Sequence, residues 1–429
     1  MFPTLGYLIN YFLGTSITLG FPTFGFIVAM SFLSAAFVLK SEIVRKEKLG
    51  IFKSVYYKET IGAPASLGEL LYNVIFGFIL GAKLGLLITD SQTFLAHPQQ
   101  AIISTQGNLL FGIIGAIALT AYVYWDKKRK ALPTPKVEDK KLSAGELVVN
   151  ITMIAALSGI SGAKLFHLLE YWDEFMAAPM EQLLSFAGLT FYGGLICGFL
   201  AVGYYCRKKG LGFVHVCDSA APALILAYGI GRLGCQLAGD GDWGVINSAY
   251  RYDYNTKSYV EVPADRIETD KAIYAEYYNM TFGSVENAHY LYYKKPAFLS
   301  FLPDVAFAQS YPNNVNNDGI YIAGCEGEYC ARLPLPVIPT PIYETSMAVL
   351  IFLILWSLRR KFKRPGLMFS VYLIFNGLER FTIEQFRVNS EYNILGGVTQ
   401  AEIISFTLIA IGILGIFLTK KFQSTLEKI

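Results

Sequence analysis

Long apolar runs broken by short polar stretches dominate the chain. A helix crossing a bilayer needs about 20 mostly apolar residues. Nine runs meet that need, at roughly 21–39, 67–89, 107–125, 146–168, 187–205, 216–235, 339–357, 366–384 and 398–419. Between them, basic loops alternate with loops poor in Lys and Arg. The basic set holds Arg45 to Lys58, Lys127 to Lys130, Arg207 to Lys209, Arg359 to Arg364, and Lys420 with Lys421. Basic loops stay in the cytoplasm. The pattern therefore predicts an all-α polytopic membrane protein of about nine transmembrane helices. Its N-terminus lies outside, its C-terminus lies in the cytoplasm, and 236–338 forms an extracytoplasmic head. The first residues show no basic region and no cleavage site, so no cleaved signal peptide is expected.

Composition agrees. Hydrophobic residues are 53% of the 429 and charged residues 16%, against about 25% charged in ordinary globular chains. That excludes a soluble enzyme and a disordered chain. Six cysteines are too few for a disulfide scaffold, and a net charge of +3 gives no reason to expect nucleic acid as a partner. Cys325 and Cys330, as CEGEYC in the head, are candidates for a disulfide on an oxidising side of the membrane. The other four cysteines lie in or beside spans, where cysteine is more often a packing residue.

A repeat lies inside the chain. GELLYN at 68, GAKL at 81 and FLAHP at 94 answer to GELVVN at 145, GAKL at 162 and FMAAP at 175, with most of the alignment at an offset of 81. Both copies have two spans and the same orientation, so the repeat is parallel. FYGG at 191–194 stands where the first copy has LFGI. Its tyrosine and extra glycine point to function in the second copy. The expected divisions are 1–66 with the first span, 67–127 as the first copy, 145–235 as second copy and sixth span, 236–338 as head, and 339–429 as the last three spans.

Two constellations carry chemistry. GIGRLGCQLAGDGDWG at 229–244 closes the sixth span, with Arg232 near the helix end and Asp240 and Asp242 in a glycine-rich turn. An ionisable residue at membrane depth is a functional candidate; the plainer reading is an arginine snorkelling to the surface. In ERFTIEQFR at 379–387, Arg380, Glu384 and Arg387 share one helix face. Two arginines braced by a carboxylate suit a phosphate oxyanion; a surface ion pair is the alternative. Asp218 fits a helix cap or a site equally. Lys164 and His167 are one turn apart, and no second histidine completes a metal site, so no metal is expected. Tyr343 and Glu344 open the seventh span.

Together these residues resemble the prolipoprotein diacylglyceryl transferases. GRLGCQLAGDGDWG is similar to the family's Gly-Arg-x-Gly-Asn run and following acid, with Cys235 and Gln236 at and beside the asparagine position, Asp240 or Asp242 at the acid, and Gly244 closing it. TFYGGLICG is similar to its Ser-Phe-His-Gly-Gly run, with Tyr192 at the histidine and then Gly193 and Gly194. RFTIEQFR matches a late Arg-Phe-x-x-Glu-Phe-x-Arg run, Tyr343 and Glu344 a Tyr-Glu pair, Asp218 and Pro222 an upstream Asp-x-x-x-Pro, and TFG at 23–25 a Trp-Tyr-Gly. The first copy and the head are extra to the family's seven spans.

The resemblance implies transfer of the diacylglyceryl group of phosphatidylglycerol to the lipobox cysteine thiol of preprolipoproteins, without a cofactor. A thioether forms and glycerol phosphate leaves. It places the chain in the bacterial cytoplasmic (inner) membrane among membrane lipids, with the site toward the outer leaflet. Arg232, Arg380 and, in support, Arg387 would face the leaving phosphate. Tyrosine is a poor base near neutral pH, so the thiol proton would go to Asp240, Asp242 or Glu384, with Tyr192 orienting substrate. The competing expectations are a transporter of an anionic solute or lipid and an inactive lipoprotein-binding relative.

Overall fold

The computed structural model describes residues 1–185, 188, 190–387, 391–392 and 398–426, with backbone alone for 391–392 and 421–426. Nine helices of 18 residues or more stand out among them: α1 (Thr23–Lys48), α2 (Leu67–Thr89), α3 (Leu109–Lys130), α4 (Leu147–Glu170), α5 (Phe191–Lys208), α6 (Phe213–Ala238), α7 (Thr340–Leu358), α8 (Leu367–Glu384) and α9 (Gln400–Leu426). Seven are long and apolar enough to cross a membrane; α5 and α8 fall short. Each of those two has 18 residues. The cause in α8 is legible: Glu379, Arg380 and Glu384 crowd its second half. The chain is a mostly helical, polytopic membrane protein. Residue 187, the expected start of the fifth span, lies outside the described residues.

The all-α expectation needs correcting, because five two-stranded ladders accompany the helices among the described residues. The longest pairs Val55–Ile61 with Lys136–Leu142, antiparallel, in two segments rich in charge and β-branched residues. Open sheet edges need water or protein partners and are excluded from lipid. These ladders accordingly fall in the polar stretches between long helices.

Contacts divide the chain into two compact units. One comprises Met1–Leu8, Pro22–Leu39 and Val214–Ile429; the other comprises Ile9–Phe21 and Lys40–Phe213.

The second unit contains both repeat copies, as the hairpins α2/α3 and α4/α5. The two are built alike. Their first helices correspond at an offset of 81, but their second helices correspond at 82. Asn108 N–H donates to Ala82 O at 3.0 Å, as Thr190 N–H donates to Ala163 O at 3.1 Å. A Cβ on Gly81 would collide with Phe111 O and Gly115; one on Gly162 would collide with Gly193 O and Cys197. Further along, Gly85 lies against Phe111, whereas Phe166 lies against Gly193. The large and small partners have changed places, and the volume is conserved. FYGG therefore answers to LLFG at 109–112, not to LFGI, and Tyr192 answers to Leu110.

Lys83 settles what a lysine does in this frame. Its Nζ donates to the carbonyls of Ala101, Ser104 and Gln106 at 2.5–2.7 Å. It satisfies carbonyls that a short helix leaves open at its end. Lys164 is its counterpart, 81 residues on. His167 lies against Gly188, with its ring 4.7 Å from that of Tyr171.

In the first unit, α6, α7 and α8 pack through Ala221, Ile225, Ala348, Ile351, Leu355 and Met368. Asp218 is a cap, though for another helix. Its carboxylate accepts the N–H groups of Gly366 at 2.7 Å and Phe369 at 2.9 Å, at the start of α8. Residues after α6 form short ladders and helices over two apolar clusters, one around Tyr278, Tyr311 and Leu335, the other around Tyr250 and Phe307. Cys325 and Cys330 are joined as a disulfide.

Candidate functional site

Arg232 lies one and a half turns before the end of α6. In an apolar helix its guanidinium needs anionic partners, and two neighbouring segments supply them. Nε and Nη2 donate to Glu344, the latter at 2.8 Å to Oε1, and Nη1 donates to Asp242 Oδ2. Glu344 is fully buried in the second turn of α7. Arg387, just past α8, donates from Nη2 to Asp242 Oδ1 at 2.7 Å and stands 3.8 Å from Glu344. Two arginines and two carboxylates from four segments thus form one cluster. A guanidinium has five N–H donors in a fixed fork. Arg232 uses three of them on carboxylates and a fourth, from Nη1 at 3.5 Å, on Cys235 Sγ, which leaves one for an anion.

The turn after α6 sets the cluster's shape. Thr340 Oγ1 donates to Asp242 O at 2.7 Å and Gly244 N–H donates to Ile338 O at 2.8 Å, so the turn is held to the chain entering α7. A Cβ on Gly244 would collide with Phe386 O and crowd Thr340. Glycine is needed there for close approach. Val245 N–H also donates to Phe386 O at 2.8 Å, which anchors the segment carrying Arg387.

The two aspartates sit in opposite electrostatic settings. Burial pushes the Asp242 carboxyl up, but the charges of Arg232 and Arg387 outweigh it and hold the group down at about 2. Asp240 is raised above its usual range, by burial first and then by the charge of Asp242. Its Oδ1 is buried without a hydrogen-bond partner among the described residues. Cys235 Sγ and the two aspartates lie within 4.8 Å of one another, the spacing of a three-ligand metal site. Both oxygens of Asp242 already face guanidinium groups, so Asp242 is committed to the arginines and not to a cation.

Other expected residues divide between contact with the cluster and support of it. Arg380 pairs with Glu384 at 3.1 Å within α8. The expected brace of both arginines by Glu384 is replaced by two separate pairs, because Arg387 turns to Asp242. Gln236 is buried and donates to Gln309 Oε1 at 2.7 Å while accepting from Tyr311 OH at 2.8 Å. It fastens α6 to the segment that follows. Cys235 is buried, with Sγ 3.5 Å from Arg232 Nη1. Tyr343 packs on Phe386, with ring centroids 6.2 Å apart, and its hydroxyl is buried without a partner among the described residues. Tyr192, Gly193 and Gly194 belong to the other unit, in the first turn of α5; both glycines make the close packing of the α4/α5 hairpin.

Two members of the cluster escape a motif-led reading. Tyr228 is one turn before Arg232 and donates to Glu344 Oε2 at 2.5 Å. Glu379 meets the same hydroxyl at 3.1 Å. The i, i+4 spacing to Arg232 would have found the first, and a carboxylate inside an apolar run the second.

The fold and cluster define a polytopic membrane protein with a buried arginine site at the ends of its helices. A family model for prolipoprotein diacylglyceryl transferase matches residues 132–418. The chain belongs to that family and is a transferase. Relatives named phosphatidylglycerol–prolipoprotein diacylglyceryl transferase include one from Corynebacterium glutamicum, 28% identical over 66% of this chain and 73% of the relative. Another, from Staphylococcus saprophyticus, is 25% identical over 62% and 72%. One from Dehalococcoides mccartyi is 22% identical over 70% and 84%. The match leaves residues 1–131, with the α2/α3 hairpin, outside the family model.

Proposed function

We propose that this chain transfers the diacylglyceryl group of phosphatidylglycerol to the cysteine thiol of a preprolipoprotein lipobox. The reading rests on one observation above all. A chain of this family carries a half-buried pair of arginines, Arg232 and Arg387, aligned by Glu344 and Asp242 with donors to spare.

In the reaction the glyceryl carbon–oxygen bond to phosphate breaks and a carbon–sulfur bond forms. Glycerol phosphate leaves with an added negative charge, and the thiol proton must be taken up. Arg232 and Arg387 meet the charge that develops on the phosphate, with Arg380 in support. Preorganised cations in a dry site act strongly on such a charge. Of the three carboxylates that could take the thiol proton, Asp242 is committed to two arginines and Glu384 to Arg380. Asp240 is the acceptor: its affinity for a proton is raised, and one of its oxygens has no hydrogen-bond partner among the described residues. Tyr192 is not the base. Tyr343 and Cys235 line the substrate site, and Gln236 and Gly244 hold its walls; Gly193 and Gly194 pack the α4/α5 hairpin of their own unit. No metal or organic cofactor is invoked.

All nine long helices, α5 and α8 included, are read as spans, with the N-terminus and 236–338 outside and the C-terminus in the cytoplasm. This reading puts the site at the outer leaflet of a bacterial cytoplasmic membrane, where one substrate is a lipid and the other a membrane-tethered peptide. The segment from 145 to 235 and that from 339 to 429 form the transferase core, 1–66 carries the first span, and 67–127 and 236–338 are additions to it.

Purified protein, phosphatidylglycerol and a one-cysteine lipobox peptide test the reading. The peptide should gain one diacylglyceryl mass as one glycerol phosphate appears. Binding of both substrates without any mass gain would overturn it in favour of an inactive relative.

A further inference from the structure

Tyr228 has one hydroxyl proton and two carboxylates to give it to. Its oxygen lies 2.5 Å from Glu344 Oε2 and 3.1 Å from Glu379 Oε1. The three residues come from α6, α7 and α8, and both carboxyl groups are buried, with Glu344 0% and Glu379 1% exposed. Arg232 donates to both oxygens of Glu344, and Arg387 stands near it. Glu344 is therefore the ionised member and the acceptor of the tyrosine proton. The Tyr228 oxygen then has only lone pairs left to turn toward Glu379. An ionised carboxylate is acceptor-only, whereas a protonated one donates. Two acceptors would repel at that distance, so the proton between them must come from Glu379. Its second oxygen, Oε2, is buried with no hydrogen-bond partner among the described residues. That is tolerable for a neutral acid and costly for a carboxylate.

We propose that Glu379 is held as a neutral carboxylic acid and acts as a positioning residue. It donates to Tyr228, Tyr228 donates to Glu344, and Glu344 fixes the fork of Arg232. Only one direction of donation satisfies the three groups, so the chain sets the guanidinium in one orientation. Charge matters as well. Two arginines face two ionised carboxylates in the cluster, and an ionised Glu379 would tip that balance against an anionic substrate.

Infrared difference spectra of the purified protein in lipid provide the first test. The wild type should show a protonated-carboxyl carbonyl band that shifts in deuterated water and disappears in Glu379→Gln. Kinetics provide the second. Glutamine still donates to Tyr228, so Glu379→Gln should keep kcat within about threefold of wild type, while Glu379→Ala and Tyr228→Phe should lose at least about tenfold by loosening a hydrogen-bonded network. Thermal unfolding and gel filtration of each variant separate misfolding from misplacement. An unchanged spectrum in Glu379→Gln, or a folded Glu379→Gln variant as impaired as Glu379→Ala, would overturn the inference. The kinetic arm rests on the transferase reading. The infrared arm does not, so a wild type without transfer but with the acid band would fail that reading alone.

Discussion

Lys83 and Arg232 are both half-buried cations in apolar helices, and they are satisfied in different ways. Lys83 in α2 spends all three ammonium protons on backbone carbonyls of its own hairpin. Arg232 in α6 faces carboxylates on α7 and in the turn that follows it, and keeps one N–H in reserve. A lysine that closes off backbone is part of the frame. An arginine held by side chains whose own partners are other arginines is part of a site. The rule that charge inside a membrane marks function thus needs a second question, namely what the charge is bonded to.

The largest effect that would sharpen this contrast is expected at Arg232. Arg232→Ala should reduce kcat/KM by about 10³-fold, the scale for removing a preorganised donor to developing charge. Arg232→Lys should recover little, because an ammonium cannot span Glu344 and Asp242 as the guanidinium does. Transfer to the lipobox peptide measures both. Near-normal activity of Arg232→Lys would show that charge alone suffices and that the fork is irrelevant.

Next in size is Asp240→Asn, with an expected loss of about 10²-fold or more, as for removal of a general base. The pH profile carries the sharper signal. A base with a raised pKa is protonated and idle at low pH, so wild-type kcat/KM should rise with pH above the ordinary carboxylate range. Asp240→Asn should lack that acid limb. An unchanged limb in Asp240→Asn would move the base elsewhere.

Asp242→Asn should cost about tenfold in activity, since it loosens two arginines without removing either. Asp242 also links the site to stability. Its folded pKa lies near 2, below the unfolded value of 3.8. A depressed carboxyl stabilises the fold above its unfolded pKa, and that contribution fades as pH falls toward the folded one. The wild type should therefore lose stability relative to Asp242→Asn as pH drops from about 4 to 2. Parallel acid-unfolding curves for the two proteins would refute the pairing.

Much of this was legible in the sequence and some was not, for physical reasons. Apolar runs announced the long helices, because lipid forces backbone polarity to be satisfied within each helix. Arg232, Asp242, Glu344 and Arg387 were all recognisable as candidates. Their assembly was not, because it depends on packing among α6, α7 and α8, which no local pattern encodes. Glu384 looked like the brace for Arg387 on helix spacing, yet α8 ends at Glu384 and the chain beyond it departs from that face. Asp218 read equally as cap or site, and the helix it caps follows Gly366, which lies 148 residues after it. The repeat was clear from identities, but its one-residue slip showed only where Phe111 and Gly193 meet their opposite helices.

The smallest effect on activity, and the one that tests the contrast from its other side, is at Lys83. Lys83→Met keeps the length and apolar stem of the side chain while deleting its three donors. Carbonyls of Ala101, Ser104 and Gln106 would then be left to whatever water reaches them. The expected cost is about 2–4 kcal/mol of stability, the scale for removing a charged partner from part-buried acceptors. Lys83 touches none of the groups that meet the substrate, so kcat/KM at a temperature well below unfolding should stay within about twofold, as for a substitution that acts on the frame alone. Thermal unfolding in detergent and the peptide transfer assay read the two quantities on one preparation. A variant that unfolds like the wild type but transfers poorly would reverse the assignment. Lys83 would then belong with Arg232, and the α2/α3 hairpin would have a part in the chemistry that its place outside the family match does not suggest.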